Sequence, residues 1–174
     1  MTSKTRLEQD EQSYFDKPVD LDHRRASQLL NAVMSYGRLI LSRYGQLAPL
    51  GFGIDREGQV ARETLEIPRL PRDPERLWKL LTEHMATRVR RGQLTGLAMA
   101  ANVTLAEKSA EGYADAVVVT IELESGFATR VTVPYRIYGG QMHNLLPRRI
   151  VLGEAEAEEG ASRFFARGKG SPDF

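Results

Sequence analysis

The sequence contains no cysteine. Disulfide cross-links, thiolate nucleophiles and cysteine-ligated zinc sites are therefore excluded. The sequence also has no large excess of either charge, since 24 basic and 23 acidic residues give a net charge of +1. Proteins dedicated to nucleic acids usually carry a clear basic excess or patch. We therefore do not expect nucleic acid to be the partner.

Long apolar runs are also absent. The longest fall well short of the roughly 18 residues that a membrane-spanning helix needs. The stretch "MTSKTRLEQDEQSYFDKPVD" has no apolar core of the kind found in signal peptides. We expect a cytoplasmic, soluble protein that does not bind membranes.

The chain has enough hydrophobic residues to form one hydrophobic core. Hydrophobic residues make up 41% of its 174 residues, which is ordinary for a globular domain. We expect a single domain over residues 20–153. Residues 1–19 and 154–174 are polar or highly charged and are predicted to be flexible tails.

Two stretches have apolar residues at helical spacing. The first is predicted to begin at Asp20 or Asp22 and to end at Gly45. The second is predicted to begin at Asp73 and to run to about Arg91, where Gly92 stops it.

The remaining apolar residues alternate as in strands. Two strands flank "DREG", three follow the second helix, and "RRIVLGE" could add one more. The predicted fold is α+β, in the order α-β-β-α-β-β-β, with two amphipathic helices packed on one face of an antiparallel sheet. Pro134 lacks an N–H, which predicts an edge position or a bulge for its strand.

The glycine-rich stretch "LAPLGFGIDREGQV" looks most like a functional motif. A dinucleotide-binding loop needs G-x-G-x-x-G between a strand and a helix. Here Gly51, Gly53 and Gly58 have a different spacing, and a strand follows. Asp55 and Glu57 match only a fragment of a calcium loop. The pattern instead predicts a hairpin turn, with Gly58 supplying the positive φ.

The three histidines, His23, His84 and His143, show no spacing typical of a metal site, and we expect no metal and no cofactor. His84 lies on the second predicted helix, where a half-buried core histidine is the usual explanation. His143 lies in the glycine-led loop "GGQMHNLLP", where functional residues concentrate. Either histidine could serve as an acid–base group if a carboxylate and a cleft lay beside it.

Arginines and aromatic residues near the end of the chain favour a binding function over a catalytic one. Arginine next to tyrosine or phenylalanine is typical of interface hot spots. Arg130, Arg136 and Tyr138 lie on the last long strand, and "RFFAR" contains Phe164 and Phe165. The two phenylalanines could equally pin the tail onto its own domain. Basic clusters such as "RVRRG" leave weak nucleic-acid binding as a third hypothesis, which predicts a steep dependence on salt.

The order of elements, with "PLGFGIDREG" in the hairpin and "VTVPYRI" in the last long strand, resembles small uncharacterised bacterial α+β proteins over residues 21–153. The resemblance implies the fold and no activity. Secretion chaperones and toxin-immunity proteins have a similar shape and act by binding, although such chaperones are typically acidic.

Our first hypothesis is therefore a non-enzymatic protein that binds a protein partner or a second copy of itself as a homodimer. Its candidate binding residues are Arg130, Arg136, Tyr138, His143, Phe164 and Phe165. The alternative is a small ligand-binding or hydrolytic domain that uses His143 or His84 in a cleft between helix and sheet.

Overall fold

The computed structural model describes residues 20–140 and 146–166 of the chain. Within these ranges the elements run in the order α1 (Leu21–Tyr44), β1 (Leu50–Asp55), β2 (Val60–Glu63), α2 (Pro74–Arg90), β3 (Leu94–Thr104), β4 (Asp115–Leu123), β5 (Ala128–Tyr138), β6 (Arg149–Leu152) and β7 (Glu156–Glu159). The strands form one antiparallel sheet. The α+β class and the predicted order of elements are confirmed.

The sheet order is β2-β1-β3-β4-β5-β6, and β7 also pairs with β5. Strand β5 is therefore not an edge strand, which was one of the two alternatives, an edge position or a bulge, predicted from Pro134. Strand β6 pairs with β5 from Tyr135 onward, whereas β7 pairs with it only up to Thr132. Pro134 falls between the two, and its carbonyl accepts a hydrogen bond from the N–H of Gly153, 2.7 Å away. The missing N–H is tolerated because no ladder bond is required at this break.

The segment after residue 153 belongs to the fold as far as residue 166, where we expected a flexible tail. Residues Glu156–Glu159 form β7, although all four side chains are exposed. Phe164 and Phe165 pack against the apolar residues beneath α2. An exposed strand of three glutamates and one alanine has no apolar face, so its sequence carries no strand signal.

Helix α1 begins and ends where its sequence predicts. The Asp20 carboxylate caps the first turn by accepting from the N–H of Asp22, and Gly45 ends the helix with φ at 73°. Its buried stripe, which includes Leu29, Val33 and Leu41, packs on one face of the sheet. This face forms the larger part of the core.

The two helices lie on opposite faces of the sheet, and the prediction of a single face was wrong in this respect. In β3, Ala98 and Ala100 belong to the cluster that packs on α1, whereas Leu97 and Met99 pack against Leu81 and Met85 of α2. Successive side chains of a strand point to opposite faces. Strand β3 thus supports one helix on each side.

The stretch that looked most like a motif is the β1–β2 hairpin. The Asp55 Oδ1 atom accepts from the N–H groups of Glu57 and Gln59, and Gly58 has φ of 80°. These bonds close the turn within itself, which leaves the Asp55 carboxylate in a structural role. Gly53 allows close packing, since a Cβ at this position would lie 2.7 Å from the Leu94 side chain.

Candidate functional site

Helix α2 covers only part of its face of the sheet. It contacts β1 and β3, and the same face of β4 and β5 extends beyond it. A cleft of about 820 Å³ lies between α2, this open part of the sheet and the segment that follows β7. Its volume is within the range of small-molecule sites, which is about 300–1,000 Å³.

Glu122 of β4 is the most unusual residue in the wall of this cleft. It is one of the cleft-lining residues and its exposed fraction is 0%. Its Oε2 atom accepts three hydrogen bonds: from the backbone N–H of Arg163 and of Phe164, each 2.8 Å away, and from the hydroxyl of Ser162 at 3.1 Å. We call residues 161–165, which supply all three donors, the C-terminal strap.

The other carboxylate oxygen of Glu122 is unsatisfied. Among the residues that the structure describes, Oε1 has no hydrogen-bond partner, although the atom is buried. An unpaired buried polar group costs about 1–3 kcal/mol, and more if it is charged. The strap supplies hydrogen-bond donors to Oε2, whereas Oε1 is an acceptor without a partner among the described residues.

The rest of the cleft is apolar inside and charged at its rim. Trp78 of α2, Leu97 and Met99 of β3 and Val118 of β4 form its apolar walls. The charged side chains around them are those of Arg90, Arg130, Arg163, Glu158 and Glu159. Arg130 Nε lies 3.6 Å from Glu158 Oε1, an exposed pair that contributes little to stability.

His84 has a carboxylate partner, but the pair lies outside this cleft. Its Nε2 atom is 2.9 Å from Glu63 Oε2, and Arg88 Nε lies 3.3 Å from the same oxygen. Glu63 lines a second, smaller cavity of about 300 Å³, and His84 is not among the described lining residues of either cavity. The cluster joins α2 to β2, so its geometry favours a structural ion pair.

Of the other two histidines, His23 is not among the described residues that line the cleft. His23 is exposed, and its Nδ1 lies 2.7 Å from the carboxylate of Asp20, the residue that caps α1. This hydrogen bond is the main reason that the pKa of Asp20 is below its usual value. His143 lies outside the described residues.

A second group of predicted residues forms a separate surface. Tyr138, 42% exposed, lies between the guanidinium groups of Arg136 and Arg149, which are 6.0 and 5.6 Å from its ring centre. Arg136 also lies 5.0 Å from the ring centre of Tyr113. We call these four residues the arginine–tyrosine ladder. Its stacked side chains form an exposed surface that is both aromatic and basic.

The structure therefore divides the predicted binding residues among different places. Arg130 and Phe164 line the cleft, Phe165 packs under α2, and Arg136 and Tyr138 belong to the ladder. Sequence reasoning missed Glu122. Its signal was a single acid near the end of the buried strand "DAVVVTIEL", at a position that alternation assigns to the face opposite Ile121.

In the described part of the chain, no group of three histidine, aspartate or glutamate residues is arranged to hold a metal ion. Neither helix of residues 20–140 combines the length and the apolar character that crossing a membrane requires. The chain matches no protein-family model, no curated protein and no solved structure. Its function has to be inferred from the geometry of its own sites.

Proposed function

We propose that this protein binds a small, largely apolar molecule in the cleft between α2 and the sheet. The buried, half-satisfied carboxylate of Glu122 in the wall of that cleft is the observation that carries the proposal. Ligand sites typically combine apolar walls with a few fixed polar groups. Trp78, Leu97, Met99 and Val118 supply the walls here, and Glu122 supplies the fixed polar group.

Binding fits the lining of the cleft better than hydrolysis does. Two hydroxyl groups, those of Thr82 and Thr120, are present among the described lining residues, but no histidine accompanies them. A hydroxyl nucleophile needs a base within hydrogen-bonding distance. The Glu122 carboxylate accepts three hydrogen bonds from the strap at Oε2 and none from either threonine hydroxyl. The alternative role of His84 as an acid–base group has no support from this geometry.

The test uses a neutral aromatic probe, 2-phenylethanol, and the variant Ala86→Phe. Ala86 lines the cleft and is half-buried on α2, so the larger side chain should occupy the space. Trp78 is the chain's only tryptophan, so its single indole N–H resonance reports on the cleft. We expect the probe to shift this resonance in the unmodified protein. It should bind at least about 10-fold more weakly to Ala86→Phe, because the phenylalanine side chain would occupy the cleft and remove apolar surface that the probe contacts.

The matched control is Ala110→Phe. Ala110 is exposed in the β3–β4 connection and is not among the residues of the cleft. The same substitution there should leave probe binding unchanged. Equal binding by all three proteins, or a Trp78 resonance that does not respond to the probe, would contradict a ligand site in the cleft.

We propose a second binding function for the arginine–tyrosine ladder, namely contact with a protein partner or with a second copy of the chain. Exposed arginine and tyrosine side chains are enriched in interface hot spots. Arg149 also lies on β6, which ends the sheet order, so a partner strand could pair beside it. This surface retains two of the binding residues predicted from the sequence, Arg136 and Tyr138.

The double variant Arg136→Ala/Tyr138→Ala should abolish capture of a stoichiometric partner from native lysate, and any self-association, while Tm changes little. Both side chains are exposed, and exposed substitutions usually change stability by about 0.5 kcal/mol or less. Arg43→Ala/Tyr44→Ala removes another exposed arginine–tyrosine pair, from α1, and should retain capture. A large loss of Tm in the ladder variant would show that the ladder belongs to the core instead.

A further inference from the structure

We infer that the ligand of the cleft carries a protonated amine, and that this group donates a hydrogen bond to Glu122 Oε1. The inference rests on the proposed ligand-binding function and adds the chemical class of the ligand. It starts from the asymmetry of one side chain: three donors converge on Oε2, whereas Oε1 has no donor among the described residues.

The chemistry of a carboxylate restricts what can satisfy Oε1. An ionised carboxylate only accepts hydrogen bonds, so its partner must bring an N–H or O–H group. A charged donor makes a shorter and stronger bond than a neutral one. Because Glu122 is fully buried, a cationic donor would also offset its charge where water does not. A ligand ammonium group meets both requirements.

The walls of the cleft suit the rest of such a molecule. The indole of Trp78 is the aromatic surface that attracts a cation most strongly. Leu97, Met99 and Val118 would contact an apolar body. Arg90, Arg130 and Arg163 at the rim could repel an amine, but Glu158, 3.6 Å from Arg130, and Glu159 lie at the same rim and offset part of their charge. An amine with an aromatic or branched apolar body is therefore the class that this cleft fits.

The experiment compares three probes of similar size near neutral pH: 2-phenylethylamine, which is cationic, 2-phenylethanol, which is neutral, and 3-phenylpropanoate, which is anionic. Binding is followed by the indole N–H resonance of Trp78. In the unmodified protein we expect the amine to bind roughly 10-fold more tightly than the alcohol, because a charged donor bonds to the carboxylate more strongly than a neutral hydroxyl does. The anion should bind most weakly.

The decisive variant is Glu122→Gln. Its amide oxygen can still accept from Ser162, Arg163 and Phe164, so the strap keeps its partners. Its amide NH₂ would replace Oε1 and turn an acceptor into a donor. The preference for the amine should disappear, while binding of 2-phenylethanol stays within about twofold of the unmodified protein. A purely structural role for Glu122 would leave the preference for the amine intact.

The outcomes separate the two proposals. If no probe shifts the Trp78 resonance, the ligand-binding function and the inference both fail. If the alcohol or the anion binds as tightly as the amine, the function stands and the inference is overturned. The preference among the three probes is measured on the unmodified protein, so it decides the inference even if Glu122→Gln does not fold.

Discussion

Replacing Leu29 by alanine is expected to lower the free energy of unfolding by about 2–5 kcal/mol. Leu29 lies on the inner face of α1 with an exposed fraction of 0%, among the side chains that join this helix to the sheet. Truncation removes buried apolar surface and leaves a cavity that its tightly packed neighbours can fill only in part. Urea unfolding followed by circular dichroism measures the loss.

Leu39→Ala is the matched control, since it makes the same chemical change on the same helix. Leu39 is 51% exposed, so alanine there should change the free energy of unfolding by about 0.5 kcal/mol or less. Alanine is also the better helix former, so helix propensity opposes neither substitution. Comparable losses in the two variants would contradict the assignment of the buried face of α1.

Ending the chain at Gly160 is expected to cost about 2–4 kcal/mol of unfolding free energy. This truncation removes the whole C-terminal strap. Glu122 then loses its three donors, and Phe164 and Phe165 no longer cover the apolar cluster under α2. An uncompensated buried carboxylate adds to the cost of the lost apolar contacts. Amide hydrogen exchange in β4 should accelerate together with the fall in stability.

A chain that ends at Ala166 is the control for this truncation. It lacks residues 167–174 but retains the strap and both phenylalanines. Its stability should equal that of the full chain within about 0.5 kcal/mol. If both truncations unfold at the same urea concentration as the full chain, the strap does not stabilise the fold, and its hydrogen bonds to Glu122 have no net effect.

Local signals in the sequence were sufficient for most of the elements. Asp20 and Gly45 mark the ends of α1, and Asp73 followed by Pro74 marks the start of α2, because each residue satisfies a geometric need of a helix end. The turn at Asp55 to Gly58 was recognised for the same reason. Strand β7 was missed, since its four side chains are all exposed and form no apolar face.

The candidate site was harder to predict from the sequence than the helices and strands were. Phe164 and Phe165 were noted as either interface residues or anchors of the tail, and the structure places them against α2. Glu122 carried only a weak signal, because one acid in a buried strand does not show which groups will surround it. Its three donors lie about 40 residues later in the chain. No local pattern encodes a contact at that separation.

The sequence by itself determined that this chain forms an α+β domain, with two capped helices, a closed hairpin and a meander of alternating strands. These features depend on neighbouring residues and on periods of 3.6 and 2, which can be read along the chain. Only the tertiary structure decided which helix covers which face, that the segment after β7 returns over β4, and that Glu122 is buried in a cleft wall with one oxygen that has no partner among the described residues. Those outcomes depend on contacts between residues far apart in sequence, whose energies no single segment contains.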